Sequence, residues 1–312
     1  MLKNKILLAK YLLEKVLYTK IYKNKQFKSK LNREIFDIER GNQLIYDMIL
    51  SNKQLAIARI GSTERISIIE EEKYNLNISR NINQSIVNQL CNWSGFFQNS
   101  ISGLIRFSEL YKECLSELDI VALWETPLEE YIVKNYCSNS EFTLLRAVEP
   151  WYFDNPWTYA LKGKKVLVIH PFKNTILSQI EKREKLFRNP KLFPECEINV
   201  IQAVQTISGE KDDRFTDWFE ALEFMYQETK KYDFDIALIG CGAYGLPLAS
   251  KIKKDDRIAI HMGGALQLLF GIKGNRWDHH QEISKLYNEY WVRPCEEEVP
   301  TESKVVENGC YW

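Results

Sequence analysis

The sequence predicts an α/β fold: one mostly parallel sheet flanked by helices. Three observations carry that prediction. Strand-like and helix-like runs alternate along most of the 312 residues. Several strand-like runs, such as "DIVALW" and "FDIALIG", are continuously apolar instead of alternating, which is the mark of parallel strands covered on both faces. Glycine-rich turns join strands to helices at three points, as in Rossmann-like sheets.

In chain order, the expected strands are 54–60, 119–124, 142–148, 164–170, 197–204, 234–240 and 257–263. Apolar spacing near 3.6 residues predicts helices over 62–73, 84–118 with a break near Ser94-Gly95, 128–137, 175–188, 216–231, 243–253 and 264–272. Before them, Ile6, Leu7, Tyr11, Leu12, Leu13, Val16, Leu17 and Ile21 recur at helical spacing with lysines between. This predicts a basic amphipathic helix through about Tyr22, then a basic tether. The expected organisation is therefore a helix and tether over 1–38, an α/β domain over 39–295 and an irregular, extended tail over 296–312. The stretch 149–165, with two prolines, a glycine and no helical period, is an internal seam that could join two sub-sheets across a cleft.

Composition narrows the function. Hydrophobic residues make up 45% and charged residues 27%, as in globular proteins. Net charge is zero but unevenly spread: nine lysines and Arg33 against Glu14 give residues 1–33 a charge of +9, leaving −9 for the rest. Such a segment suits the surface of an anionic membrane, or else docks on its own domain with a lysine-rich solvent face. Nucleic acid is not an expected partner, because the basic character stops at residue 33 and no recognition motif follows. Seven scattered cysteines show no disulfide or zinc spacing. With no signal peptide and no apolar run of membrane-spanning length, the expected location is cytoplasmic, with peripheral placement at the inner membrane face.

The chemistry concentrates at the glycine turns. In "AIARIGSTERISII", Arg59 ends a strand, Gly61 breaks it, and Ser62, Thr63 and Glu64 open a helix. Ligands bind at the carboxyl ends of parallel strands, where helix N-termini receive anions. The plainer alternative is a Ser62 cap, a Glu64 placed at the positive helix end and a surface Arg59. "GCGAYG" at 240–245 matches G-x-G-x-x-G and would suggest a nicotinamide dinucleotide. However, "RIAIHMGG" puts His261 and glycines where the ribose-binding acid is expected. Gly242 and Gly245 permit close backbone approach, to a phosphate or only to a packed neighbour. The next turn, Gly263-Gly264, is followed by Lys273 and Arg276, so Arg59, Lys273 and Arg276 are candidate diphosphate ligands. Tyr244 falls in the same turn. Glu64, Glu125 and Asp154 are candidate bases, and Trp151, Tyr152, Phe153 and Trp157 of the seam are candidate stacking residues or core.

The "R-I-G-S-T-E" turn, together with "IGCGAYGLPLASKIKKDDRIAIHMGGALQLLFGIKGNRW", resembles bacterial glycosyltransferases of the GT-D fold and their relatives, over roughly residues 40–295. These occur in surface-polysaccharide and glycan gene clusters. The resemblance implies transfer of a sugar from a nucleotide donor, with a UDP-sugar expected, to a glycan or lipid-linked acceptor. In the better-known GT-D enzymes the turn reads R-x-G-D-G-E, and its two carboxylates serve the metal and diphosphate. Arg59, Gly61 and Glu64 match, whereas Ser62 stands at the aspartate. A hydroxyl is a poor Mg²⁺ or Mn²⁺ ligand. Glu64 then either holds the metal with help from the diphosphate, or the arginines and Lys273 replace the metal. A non-catalytic binding module and an NAD(P)-dependent oxidoreductase are the competing readings.

Overall fold

Strands form where both faces can be buried. In the computed structural model, which describes residues 2–21, 27–51, 54–207, 210–306 and 309–312, eight strands pair in one parallel sheet. They are β1 (Ile35–Phe36), β2 (Leu55–Arg59), β3 (Ile120–Leu123), β4 (Glu141–Leu144), β5 (Lys165–His170), β6 (Glu197–Gln202), β7 (Ile236–Ile239) and β8 (Ile258–His261). Their order is β1-β4-β3-β2-β8-β7-β5-β6, every pair parallel. Side chains alternate between two cores. Ala56, Ala58, Val121, Leu123, Leu167 and Ile169 enter one, and Leu55, Ile57, Ile120, Ala122, Val166 and Val168 the other. Burial on both faces explains why the strands read as unbroken apolar runs.

The helices are α1 (Leu2–Lys20), α2 (Ile38–Ser51), α3 (Ser62–Asn75), α4 (Gln84–Ser94), α5 (Ile101–Ser116), α6 (Pro127–Tyr136), α7 (Lys173–Ile180), α8 (Arg183–Leu186), α9 (Trp218–Thr229), α10 (Gly245–Lys253) and α11 (Leu266–Leu269). No described helix is long and apolar enough to cross a membrane. The stretch 22–26, where the expected helix end and tether begin, lies outside the described residues.

Several expectations need correction. The run 142–148 stops as a strand at Leu144 and turns into a 3-10 helix over Leu145–Val148. The helix expected over 175–188 is two short ones. The long run 84–118 breaks as expected: Gly95 takes the left-handed conformation at φ +81° behind α4, and the Ser100 hydroxyl accepts the Gly103 N–H to start α5. The seam does not join two sub-sheets. It carries the chain, in three 3-10 turns, from β4 across the second core to β5 of the same sheet. Two elements, β1 and α2, fall outside the predicted set.

The tail is irregular but anchored. Glu298 is buried and accepts the backbone N–H groups of Asn174 and Thr175 at the start of α7, so it caps a helix whose own cap position, Phe172, has no suitable side chain. Trp312 ends the chain by accepting the Asn275 N–H through its carbonyl.

Candidate functional site

β2, β8 and β7 are adjacent and parallel, so their three following turns open at the same rim of the sheet. There they enclose a cavity of about 590 Å³, a size that suits a small-molecule ligand. Arg59, Gly61, Ser62, Glu64, Gly242, Tyr244, His261, Gly263, Gly264 and Arg276 all line it.

The first turn is built around a missing side chain. Gly61 is extended (φ −67°, ψ 159°) and is itself the cap residue of α3, so Ser62 is already helical and does not cap as the plain sequence reading supposed. No side chain caps α3, and its first residues, Ser62, Thr63 and Glu64, line the cavity. Glu64 folds back over Gly61, so that a Cβ there would lie 1.9 Å from its Oε2. Thr63 donates to the same oxygen at 3.0 Å and pairs closely with Ser94 on α4. The Arg59 guanidinium sits over the Trp124 ring, 5.2 Å from its centroid, with Nε buried and unpartnered. Gly263, at φ +66°, passes 3.1 Å from that guanidinium at its would-be Cβ.

Arg65, one residue beyond Glu64, also faces the cavity. Its guanidinium lies 3.9 Å from the Glu129 carboxylate, and both interacting atoms lack a hydrogen bond. Burial holds the Glu129 carboxyl up at about 7 against the opposing pull of Arg65, and burial likewise lowers the Arg65 pKa. His170 and His261 end β5 and β8 in the cavity wall, and burial lowers both to about 3, with Arg59 adding to the effect on His261. His170 Nδ1 accepts the Phe172 N–H at 3.0 Å, which assigns the proton of the neutral ring to Nε2. His261 Nδ1 and Gln267 Oε1 are buried in the wall without partners. Arg59, Arg65, His261 and Gln267 of the wall thus each bury a polar atom that has no hydrogen-bond partner.

The glycines of "GCGAYG" face protein. A Cβ at Gly240 would lie 2.7 Å from His170, one at Gly242 would lie 2.8 Å from the Ser94 carbonyl, and one at Gly245 would lie 2.0 Å from His261. α10 starts only at Gly245, after a 3-10 turn, and not at Ala243. Packing therefore accounts for the motif, and His261 occupies the end of β8 where a dinucleotide site needs an acid.

Three candidates stand outside the lining. Glu125 adopts a left-handed backbone (φ +56°) and its carboxylate accepts the Ser29 N–H at 3.2 Å. Asp154 is exposed on the seam, where its carbonyl accepts from Asn189. Lys273 sets its ammonium 5.3 Å from the Tyr287 ring centroid. The seam aromatics are likewise elsewhere, with Trp157 and Trp151 buried in the second core. Their places are taken by Trp93 and Trp124, 47% and 44% exposed at the cavity, and by Tyr311 and Trp312. Arg276 lies 4.9 Å from the Tyr311 ring centroid, and that ring in turn covers Gly264. Arg65 was legible in "STERIS" as the neighbour of Glu64; the aromatic residues left no signal beyond Trp124's place at a strand end.

Among the described residues lining the cavity, Glu64 is the lone carboxylate, set among Arg59, Arg65 and Arg276. No group of three or more His, Cys, Asp and Glu able to hold a metal occurs among the described residues. One carboxylate among cations does not fit a resident Mg²⁺ or Mn²⁺.

Residues 157–269 match the family described as a GT-D fold-like domain. No curated protein matches the chain. A solved structure described as domain of unknown function 1792 shares 11% identity with a TM-score of 0.47, covering 83% of this chain and 94% of its own. The matched segment carries β5 to β8 with the Gly240–Gly242 and Gly263-Gly264 turns, while the Arg59–Glu64 turn precedes it. Over residues 157–269 this chain is therefore similar to the GT-D fold-like family.

Proposed function

We propose that this protein is a glycosyltransferase that moves a sugar from a nucleotide-sugar donor, a UDP-sugar in the first instance, to a hydroxyl of a glycan or lipid-linked acceptor. The observation that supports it best is the convergence of three glycine turns on one cavity holding Arg59, Arg65, Arg276 and Glu64. Guanidinium groups can hold a diphosphate through charge-assisted hydrogen bonds, and the N-terminus of α3, which has no side-chain cap, favours an anion beside it.

In the proposed reaction the acceptor oxygen attacks the anomeric carbon and the bond from that carbon to the diphosphate oxygen breaks. The acceptor proton passes to Glu64, and the nucleoside diphosphate leaves with charge stabilised by the arginines. The step needs no resident metal. Trp93 and Trp124 offer flat faces on which a base or sugar ring can stack. A biosynthetic role in surface polysaccharide rests on the family resemblance.

Thermal-shift measurements against UDP-, GDP-, dTDP- and CMP-sugars, with and without Mn²⁺, test donor binding. At a hundredfold excess over Kd a true donor adds about 2.7 kcal/mol of stability. At least one donor should raise Tm without Mn²⁺, and Arg59→Ala should abolish that shift. If none of the four classes raises Tm, the proposal fails. Ser62 at the family's aspartate position favours a second reading, a binding module without turnover. Release of nucleoside diphosphate by the purified protein decides against that module, and donor binding without release decides for it.

A further inference from the structure

α1 carries two apolar faces. One is docked: Leu8 and Tyr11 are buried, and the Tyr11 hydroxyl donates to Glu130 at 2.7 Å while Lys134 bonds both. The other faces solvent. Leu2, Ile6, Leu13 and Val16 are 71%, 62%, 60% and 46% exposed, and Ile21 just past the helix is 65% exposed. At about 100° per residue the four helical ones share an arc about 80° wide, opposite Leu8 and Tyr11. Lys20 falls within that arc, with Lys3 and Lys10 along one edge. Glu14, the sole acid on α1, is 3.8 Å from Lys10.

Lys5 bonds the carbonyl of Asn77, just past the end of α3, and Lys15 lies in the field of both Arg65 and Lys73 of that helix. Past α1, Ser29 and Lys30 donate their N–H groups to Glu125, just before α6, and to Glu130 within it.

We infer that the outward face of α1 is a docking surface for an anionic lipid bilayer. An apolar stripe edged by lysines is complementary to acyl chains beneath anionic headgroups. Charge argues against a second copy of this chain as the occupant, because two α1 helices, each with five lysines against Glu14, would face each other. The inference stands whether or not the cavity transfers a sugar.

Flotation of the full chain with vesicles tests it, using phosphatidylcholine alone or mixed with phosphatidylglycerol. Binding is expected only to the mixed vesicles, and it should weaken as salt rises. Ile6→Glu/Leu13→Glu and, separately, Lys10→Glu/Lys20→Glu should each weaken binding by about tenfold or more. Lys231→Glu, on an exposed site remote from α1, should bind like the parent. Equal binding to neutral and mixed vesicles, or full binding by Ile6→Glu/Leu13→Glu, overturns the inference. So does a concentration-dependent dimer that Ile6→Glu/Leu13→Glu dissolves. Donor-induced thermal shifts should be unchanged in these variants, which separates failure here from failure of the cavity's proposed role.

Discussion

Gly61→Ala is a sharp test of the role given to Glu64. The backbone at Gly61 is extended, a conformation alanine adopts freely. The added methyl would sit 1.9 Å from Glu64 Oε2, so the carboxylate must retreat by about 1.5 Å to reach ordinary contact. Because the obstructing atom is the tip of a flexible side chain, the fold should yield cheaply. Losing glycine at the cap costs some tenths of a kcal/mol, and a stiffer unfolded chain returns about as much. We expect stability within about 1 kcal/mol of the parent by urea denaturation. Turnover should nevertheless fall by about 100-fold or more, since a base displaced by an ångström loses its reach to the acceptor proton. Thermal shift with the donor should persist, because Arg59 and Arg65 are untouched. Full turnover in a correctly folded Gly61→Ala protein would refute Glu64 as the proton acceptor.

Glu64→Gln and Arg59→Ala should each abolish transfer while urea unfolding stays cooperative; full turnover in either would misplace the site. Ser62→Asp should create a Mn²⁺ response in donor binding by adding a second carboxylate beside Glu64, and a variant indifferent to Mn²⁺ would count against aligning Ser62 with the family's aspartate. His170→Asn retains an acceptor for the Phe172 N–H and removes a ring whose folded pKa, about 3, lies below the unfolded 6.5. The unfolded state therefore binds the extra proton between those values, and the parent loses stability as pH falls from 6.5 toward 3. The variant's acid limb should be shallower by up to about 1.4 kcal/mol per pH unit, and parallel curves would show that His170 is protonated in the folded protein.

The sheet was legible because parallel strands sandwiched between two cores read as continuous apolar runs, as β3, β5 and β7 do over most of their length. β1 was not, since two residues paired to β4 through their backbones leave no periodicity to read. α2 hid behind Gly41. That glycine, near the start of α2, lowers helix propensity, yet it is required because a Cβ would lie 1.8 Å from Thr143 of β4. At the site, the rule that ligands meet strand ends was enough to single out Arg59, Glu64 and His261. It was too coarse to choose between Trp124 and Glu125, because a left-handed φ at Glu125 sends its carboxylate to Ser29. Proximity to a glycine turn likewise did not fix direction, as Lys273 turns to Tyr287 while Arg65 faces inward. Trp93 and Trp312 arrive from distant parts of the chain, and only the fold brings them together.

The glycine turns posed a choice between cradling a phosphate and packing against protein, and the geometry makes that choice less exclusive. The space left by Gly61 holds Glu64, that of Gly263 borders Arg59, that of Gly240 holds His170 and that of Gly245 holds His261. Each glycine thus lets a side chain capable of chemistry fold across the turn and reach the cavity. The four positions should differ in what a methyl does to them. At Gly240 the neighbour is an imidazole tethered to the Phe172 N–H, with the Gly263 carbonyl 2.8 Å away on another side, so nothing can swing aside. Overpacking there should cost about 1–3 kcal/mol. At Gly61 the carboxylate can move, so the loss should appear in turnover instead. If Gly240→Ala proved as stable as Gly61→Ala, the buried histidine would not be held as the structure has it, and the proton assigned to its Nε2 would lose its basis.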